Sequence, residues 1–343
     1  MSKPSTQVAI IQRPAGVPAL AAEIAEKAAG YAAQAQSENT RLAYANDWAV
    51  FQAWCDVQGA VAMPAAAEVV LAFLVDTAGQ VKVSTQRRRL SAIKETMRQN
   101  GFHLDTTLGT FRDVWKGIRR AHGQPPVKKS ALLTALLRRA LATLPETPPG
   151  VRDRALLLVG FAGALRRSEL AAVEVSSRPG ANWIEETTEG LIVHLAASKG
   201  DQEGGGQQVG VPYGSNPATC PVRAYRAWLQ AAGITEGPAF RKIDRHGKIG
   251  ADALCDHSVA FVIKRTIVAG EIGNGASEQE AAQVAKRFAG HSLRSGLATS
   301  AAANRAPGHL IQQQLRHKKY DTTSGYIQSA LLHSENAAGM AGL

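Results

Sequence analysis

Near the C-terminal end of the sequence, His291, Arg294, His317 and Tyr326 stand at spacings suited to work on a phosphate. His291 and Arg294 are three apart, so a helix places them on one face. A guanidinium there grips a phosphate through a planar fork that stays charged. Histidine moves protons near neutral pH, and a phenol oxygen attacks phosphorus once its proton leaves. With a pKa near 10, only about one phenol in a thousand is ionised at pH 7. Neighbouring cations must therefore stabilise the charge that grows in the transition state. Upstream, Arg166 and Glu169 lie one helical turn apart, and the acid can brace an arginine or a histidine. Each pattern has a plainer reading: a surface Arg–Glu pair, a core histidine, a buried hydrogen-bonded tyrosine. H-x-x-R lacks a second ligand at tetrahedral spacing, so no metal site is expected.

Those side chains need elements to hold them. From Ser37, Tyr44, Trp48, Phe51 and Trp54/Cys55 recur at helical spacing until Gly59. Pro64 is expected to open a second helix with Val69, Val70, Phe73 and Leu74 inward, and Gly79 to close it. Ser84 is the expected cap of a third, with Leu90, Ile93 and Met97 inward and Arg87, Arg88, Arg89, Lys94 and Arg98 outward. A fourth is expected to bury Leu108, Phe111, Val114 and Ile118 and to expose Arg112, Lys116, Arg119 and Arg120. Residues 37–122 thus read as a helical bundle with basic outer faces, after a loosely ordered, alanine-rich arm over 1–36.

Gly123-Gln124-Pro125-Pro126-Val127-Lys128-Lys129 breaks the pattern and reads as a linker over 123–129. Lys128 and Lys129 suit phosphate contact there. A second domain over 130–328 begins with a helix at 131–144. A buried helix at 153–165 follows and delivers Arg166 at its end. Strand-like runs come next, at 183–185, 191–195 and 208–211. The glycine-rich stretch 198–206 reads as a long, mobile hairpin loop. Helices at 222–232, 258–268 and 277–288 precede the opening motif, and 329–343 forms a tail. The expected fold class is mainly α with a small antiparallel β-sheet.

The chain has 343 residues, enough for two cores, and 45% of them are hydrophobic. A net charge of +11 favours a polyanionic partner. Cys55, Cys220 and Cys255 are odd in number and form no C-x-x-C, which fits a reducing compartment. Neither a membrane-length apolar run nor a secretory signal is read, and no G-x-x-x-x-G-K-[ST] is present.

H-x-x-R at 291–294, a histidine at 317 and a tyrosine nine positions later resemble the signature of the tyrosine site-specific recombinases, the Cre, Xer and phage-integrase group. Arg166 and Glu169, followed by Leu170, match that family's arginine, two variable positions, acid and aliphatic residue. The resemblance covers most of the chain. It implies a two-domain, C-shaped DNA clamp: a helical core-binding domain plus a mixed α+β catalytic domain. In the roles it implies, Arg166 and Arg294 clamp the phosphate, with Glu169 beside them. His291 assists the proton transfer, His317 hydrogen-bonds the scissile phosphate, and Tyr326 is the nucleophile. Lys199, in the strand–loop–strand element, would protonate the leaving 5′-oxygen. Tyr320 falls too close to His317 to fit the family spacing.

The expected activity is metal-free and cofactor-free transesterification through a 3′-phosphotyrosine and a four-way (Holliday) junction. The expected partner is double-stranded DNA with paired inverted half-sites. The implied assembly is a homotetramer on two sites, monomeric or weakly dimeric off DNA, with the tail either exchanged between protomers or packed on its own domain or disordered. The location implied is cytoplasmic and nucleoid-associated, in a bacterium or encoded by a phage or plasmid. A type IB-like topoisomerase and a catalytically silent DNA-binding regulator of the same fold stand as alternatives.

Overall fold

The structure, a computed structural model, describes residues 35–125, 127–196 and 205–332, with positions 24, 27, 28, 30, 31 and 341. Most of the arm expected over 1–36, Lys199 with most of its loop, and nearly all of the tail beyond Leu332 lie outside the described residues. Two compact units result, Met1–Val127 and Lys128–Leu343.

The first unit is built on helices α1 (Glu38–Gln58), α2 (Ala67–Asp76), α3 (Val83–Gln99) and α4 (Gly109–His122). Ser37 caps α1 by accepting from the backbone N–H of Thr40, and Gly59 ends it at φ 64°, a left-handed turn that a Cβ would disfavour. Phe73 meets both Phe51 and Trp54 edge to face at the centre, with Phe51–Phe73 ring centroids 5.2 Å apart. The buried Gln86 of α3 donates to Leu74 O at 2.8 Å, satisfying a carbonyl near the end of α2.

Three local expectations change in this unit. Pro64 lies three residues ahead of α2, whose cap is Ala66 in an extended conformation. Lys82, not Ser84, precedes α3. Leu108 is 47% exposed at the cap of α4, because apolar spacing alone does not separate a helix's first position from its interior.

In the second unit, α5 (Thr134–Ala142) and α6 (Pro148–Ala162) lead into a short α7 (Arg167–Ala171). Strands β1 (Val173–Glu174), β2 (Asn182–Glu186), β3 (Gly190–Leu195) and β4 (Gln207–Pro212) pair in that order. β2, β3 and β4 are antiparallel, whereas β1 joins β2 in parallel. Along β3, the alternate residues Leu191, Val193 and Leu195 face the core. Then come α8 (Pro221–Ala232) and a two-stranded ladder of β5 (Arg241–Ile243) and β6 (Ile249–Ala253). Sequence periodicity missed that ladder because its strands are short. Its turn is legible: Asp244 Oδ1 accepts from the N–H of His246 and of Lys248, and Gly247 sits at φ 84°.

Helices α9 (Asp256–Gly273), α10 (Glu278–Lys286), α11 (Ser292–Ala303), α12 (Gly308–Leu315) and α13 (Tyr320–Leu331) complete the unit. No helix among the described residues is long and apolar enough to cross a membrane. A large core gathers Leu156, Val159, Leu170, Val193, Ile263 and Leu293. A smaller one, of Ala164, Ala298, Ala302, Ile311 and Leu315, carries the partly buried Tyr326 and Ile327.

α11 is rich in small residues, and this lets the backbone before α5 press against it. Leu132 N donates to Ser292 O at 2.9 Å, and a Cβ on Gly296 would stand 2.1 Å from Leu132 O. Gly296→Ala should therefore lower stability by about 1–3 kcal/mol by overpacking. Gly325→Ala meets open space within α13 and should raise it by roughly 0.5–1 kcal/mol. Urea denaturation of the two variants beside wild type checks both signs.

Candidate active site

Tyr326 projects from α13, and its hydroxyl lies 3.0 Å from His291 Nε2 at the start of α11. His317, in the turn between α12 and α13, packs its ring parallel to Tyr326, with centroids 6.1 Å apart and planes at 19°. Its Nδ1 is 2.9 Å from the hydroxyl of the fully buried Thr323, and its carbonyl accepts from Gln312 Nε2 at 2.9 Å. Thr323 thus fixes the imidazole and leaves Nε2 for a substrate. The sequence reading did not single out Thr323, although it stands six residues after His317 on the helix of Tyr326.

Arg166 does not end the long helix as expected. α6 stops at Ala162, and Ala164 turns left-handed at φ 46°. Arg166 is then the extended cap of α7, and Glu169 is that helix's third residue. The buried Glu169 accepts from Arg166 N at 2.8 Å and from Arg166 Nη1 at 2.5 Å. The adjacent Arg167 pairs instead with Asp256 at 2.9 Å.

Arg294, only 1% exposed, donates to Ala164 O at 2.7 Å and to Leu315 O. Two of its five N–H groups are committed in this way. Arg316 was not singled out from sequence, yet its guanidinium reaches Glu169 Oε2 at 2.8 Å and the carbonyls of Gly163 and Ala164 at 3.2 Å. Two guanidiniums therefore bind one carboxylate and a third, Arg294, stands close enough to feel its charge, leaving two positive charges uncompensated if the histidines are neutral.

That charge shapes the titrating groups. Burial lowers His317 to about 4, helped by Arg294, Arg166, His291 and Arg316. His291 is exposed as a residue, but neighbours crowd water from its ring. This loss of solvent lowers its pKa, and Arg294 and Arg166 push in the same direction. Burial raises the Tyr326 phenol, and Arg294 opposes the shift. Burial also brings Arg294 down to about 10, still protonated at neutral pH. A neutral imidazole thus faces a protonated phenol at hydrogen-bond distance, which is the arrangement general-base catalysis needs.

The structure brings Arg166, Glu169, His291, Arg294, His317 and Tyr326 together through these contacts, whereas Lys199 lies outside the described residues. The hydroxyl of Tyr320 lies against Gly308, away from these bonds. On the first unit, Arg87, Lys94, Arg112, Lys116, Arg119 and Arg120 are exposed. Arg88 is exposed as well but pairs with the buried Asp47 at 2.6 Å. Arg89 differs: its side chain is 14% exposed, 4.0 Å from Asp47 and over the Phe73 ring, so its charge is engaged inside the fold. Lys128 and Lys129 are exposed on the second unit, and Lys129 donates to Lys286 O at 2.8 Å.

No family model matches the chain. It is 36% identical over 309 residues to an integrase/recombinase XerD homolog of Selenomonas ruminantium, covering 89% of this chain and 85% of that protein. A tyrosine recombinase of Synechococcus elongatus is 27% identical over 312 residues, with 85% of each chain covered. Among solved structures, the XerH site-specific recombinase bound to a palindromic difH substrate is similar at a TM-score of 0.55 and 16% identity, over 81% of this chain and 73% of that one. The Tn1549 transposon integrase with transposon right end DNA gives 0.56 and 11%, over 90% and 92%. A lambda integrase dimer on a core site gives 0.52 and 13%, over 91% and 96%. At these identities the structural likeness speaks for the fold.

Neutral His317 ties the stability of the fold to pH. As pH falls, the unfolded chain takes up this proton near the ordinary 6.5, whereas the folded chain waits until about 4. The stability tied to neutral His317 is whole above that window and is lost as pH falls through it. His291, lowered too, adds in the same direction. Urea midpoints measured across the window should drop more steeply for wild type than for His317→Asn.

Proposed function

The chain belongs to the tyrosine recombinase family, and on that premise we propose that Tyr326 is the nucleophile of a metal-free DNA strand cleavage and rejoining reaction at specific sites. The observation that carries this reading is the 3.0 Å contact between Tyr326 and His291 beside three guanidiniums and one carboxylate. A cationic cluster next to a nucleophilic oxygen fits a backbone phosphodiester.

In the proposed step, neutral His291 takes the phenol proton as Tyr326 Oη bonds to phosphorus. The bond from phosphorus to the 5′-oxygen breaks, leaving a 3′-phosphotyrosine and a 5′-hydroxyl. Lys199 supplies the leaving oxygen's proton, in the role carried by the family resemblance. Arg166 and Arg294 stabilise the negative charge that grows on the non-bridging oxygens, and His317 Nε2 hydrogen-bonds one of them. No bond energy is lost to water, so a 5′-hydroxyl from a partner strand reverses the step and seals a new junction.

Duplex DNA is the substrate class. Paired inverted half-sites, a homotetramer on two sites and exchange through a four-way junction complete the proposal. The helical unit over 37–122 serves as the core-binding domain, the 123–129 stretch as linker, 130–328 as the catalytic domain and 329–343 as a tail exchanged between protomers. Arg87, Lys94, Arg112, Lys116, Arg119 and Arg120 supply phosphate contacts on the first unit. Such contacts position the duplex and carry no base code.

Incubation with fragments of the replicon that encodes the chain should yield a denaturation-resistant protein–DNA adduct, and sequencing its junction maps the site. Tyr326→Phe should abolish the adduct while Tyr320→Phe retains it; the reverse result would sink the assignment. Arg166→Ala and Arg294→Ala should each slow adduct formation on the order of 10²–10³-fold.

A further inference from the structure

We propose that Arg316 is a positioning residue for strand cleavage, holding Glu169 and, through it, the Arg166 guanidinium in the orientation that receives the phosphate. The proposal rests on the recombinase reading of this site and adds a residue to it. Arg316 caps the end of α12 in the left-handed region at φ 55°, where a side chain is disfavoured and glycine is at ease. Its side chain, 4% exposed, reaches back 147 residues in sequence to Glu169. It cannot serve as an exposed phosphate contact from there.

What it does instead follows from how Glu169 divides its two oxygens. Oε1 receives Arg166 Nη1, while Oε2 receives the Arg166 backbone N–H and Arg316 Nη2. An arginine and a carboxylate left alone favour a two-pronged pairing, fork against fork. Arg316 occupies the oxygen that such a pairing needs. The Arg166 guanidinium is therefore held by one prong, and its side chain stays 23% exposed toward an incoming anion. Arg316 also donates to Ala164 O, the carbonyl that takes Arg294 Nη1. One side chain thus ties both proposed phosphate clamps to a common frame. Its charge adds a small part to what burial and the nearer cations do in keeping His317 neutral.

The experiment is single-turnover cleavage of a nicked duplex carrying the site mapped with wild type, alongside DNA affinity and thermal melts. Arg316→Gly suits the backbone and removes only the side chain. Its cleavage should slow on the order of 10²-fold, the scale of a misplaced catalytic group, with unchanged DNA affinity. Arg316→Lys keeps the charge but not the fork and should fall between wild type and Arg316→Gly. It carries the test if the glycine variant fails to fold. Because Arg316 acts through Glu169, Arg316→Gly combined with Glu169→Gln should be no slower than the slower single variant. Wild-type cleavage rates in Arg316→Gly, losses that multiply in the double variant, or a rate loss that merely tracks the unfolded fraction would each overturn the proposal. If wild type itself forms no adduct, the recombinase reading falls first and this one with it.

Discussion

A single buried carboxylate holds the proposed active site in register. Glu169 draws together α7, which begins beside Arg166, and the end of α12, where Arg316 lies. Burying an ion in a low-dielectric interior is unfavourable unless its lone pairs are answered, and here two guanidiniums and a backbone N–H answer them. Removing the acid would leave cations packed against one another with nothing between them. The turn after α6 completes the arrangement, because the left-handed Ala164 offers its carbonyl to both Arg294 and Arg316. Two non-glycine residues held at positive φ flank this cluster, which fits the tendency of strained backbone to gather at functional sites.

The electrostatics follow from that frame. Burial of the two imidazoles, reinforced by the excess positive charge beside them, makes their protonated forms unfavourable, so each stays a neutral partner for proton exchange. Burial keeps the phenol protonated in the resting protein. In the proposed step, proton transfer to His291 becomes favourable only as charge moves onto a phosphate held by the arginines. In the proposed mechanism the phenol is activated by the substrate's arrival, not by permanent ionisation.

Much of this is legible in the sequence. Apolar spacing located the helices around Phe51, Phe73 and Ile93, and the strand-like run at 191–195 falls within β3. His291, Arg294, His317 and Tyr326 stood out because their side-chain chemistry and spacing are both visible in one dimension. Positions set by turns were harder. Ser84 and Pro64 looked like helix starts because their residue types suit that role, yet the neighbouring backbone chose other residues. Arg166 was read at the end of a helix because Leu165 continues the apolar run, and nothing in that run announces the left-handed turn at Ala164. Arg316 stayed silent for a different reason. Its partners lie 147 residues or more upstream, and an arginine beside a histidine gives no hint of a positive φ.

Phe51, Phe73 and Ile93 pack in a cluster that shares no member with those around Leu156 and Ala298. Substitutions on the cationic helices of the first unit therefore propagate into a different interior from the one that supports Glu169 and Tyr326. On the proposed function, the surface offered to the duplex and the residues that cut it are therefore free to vary separately.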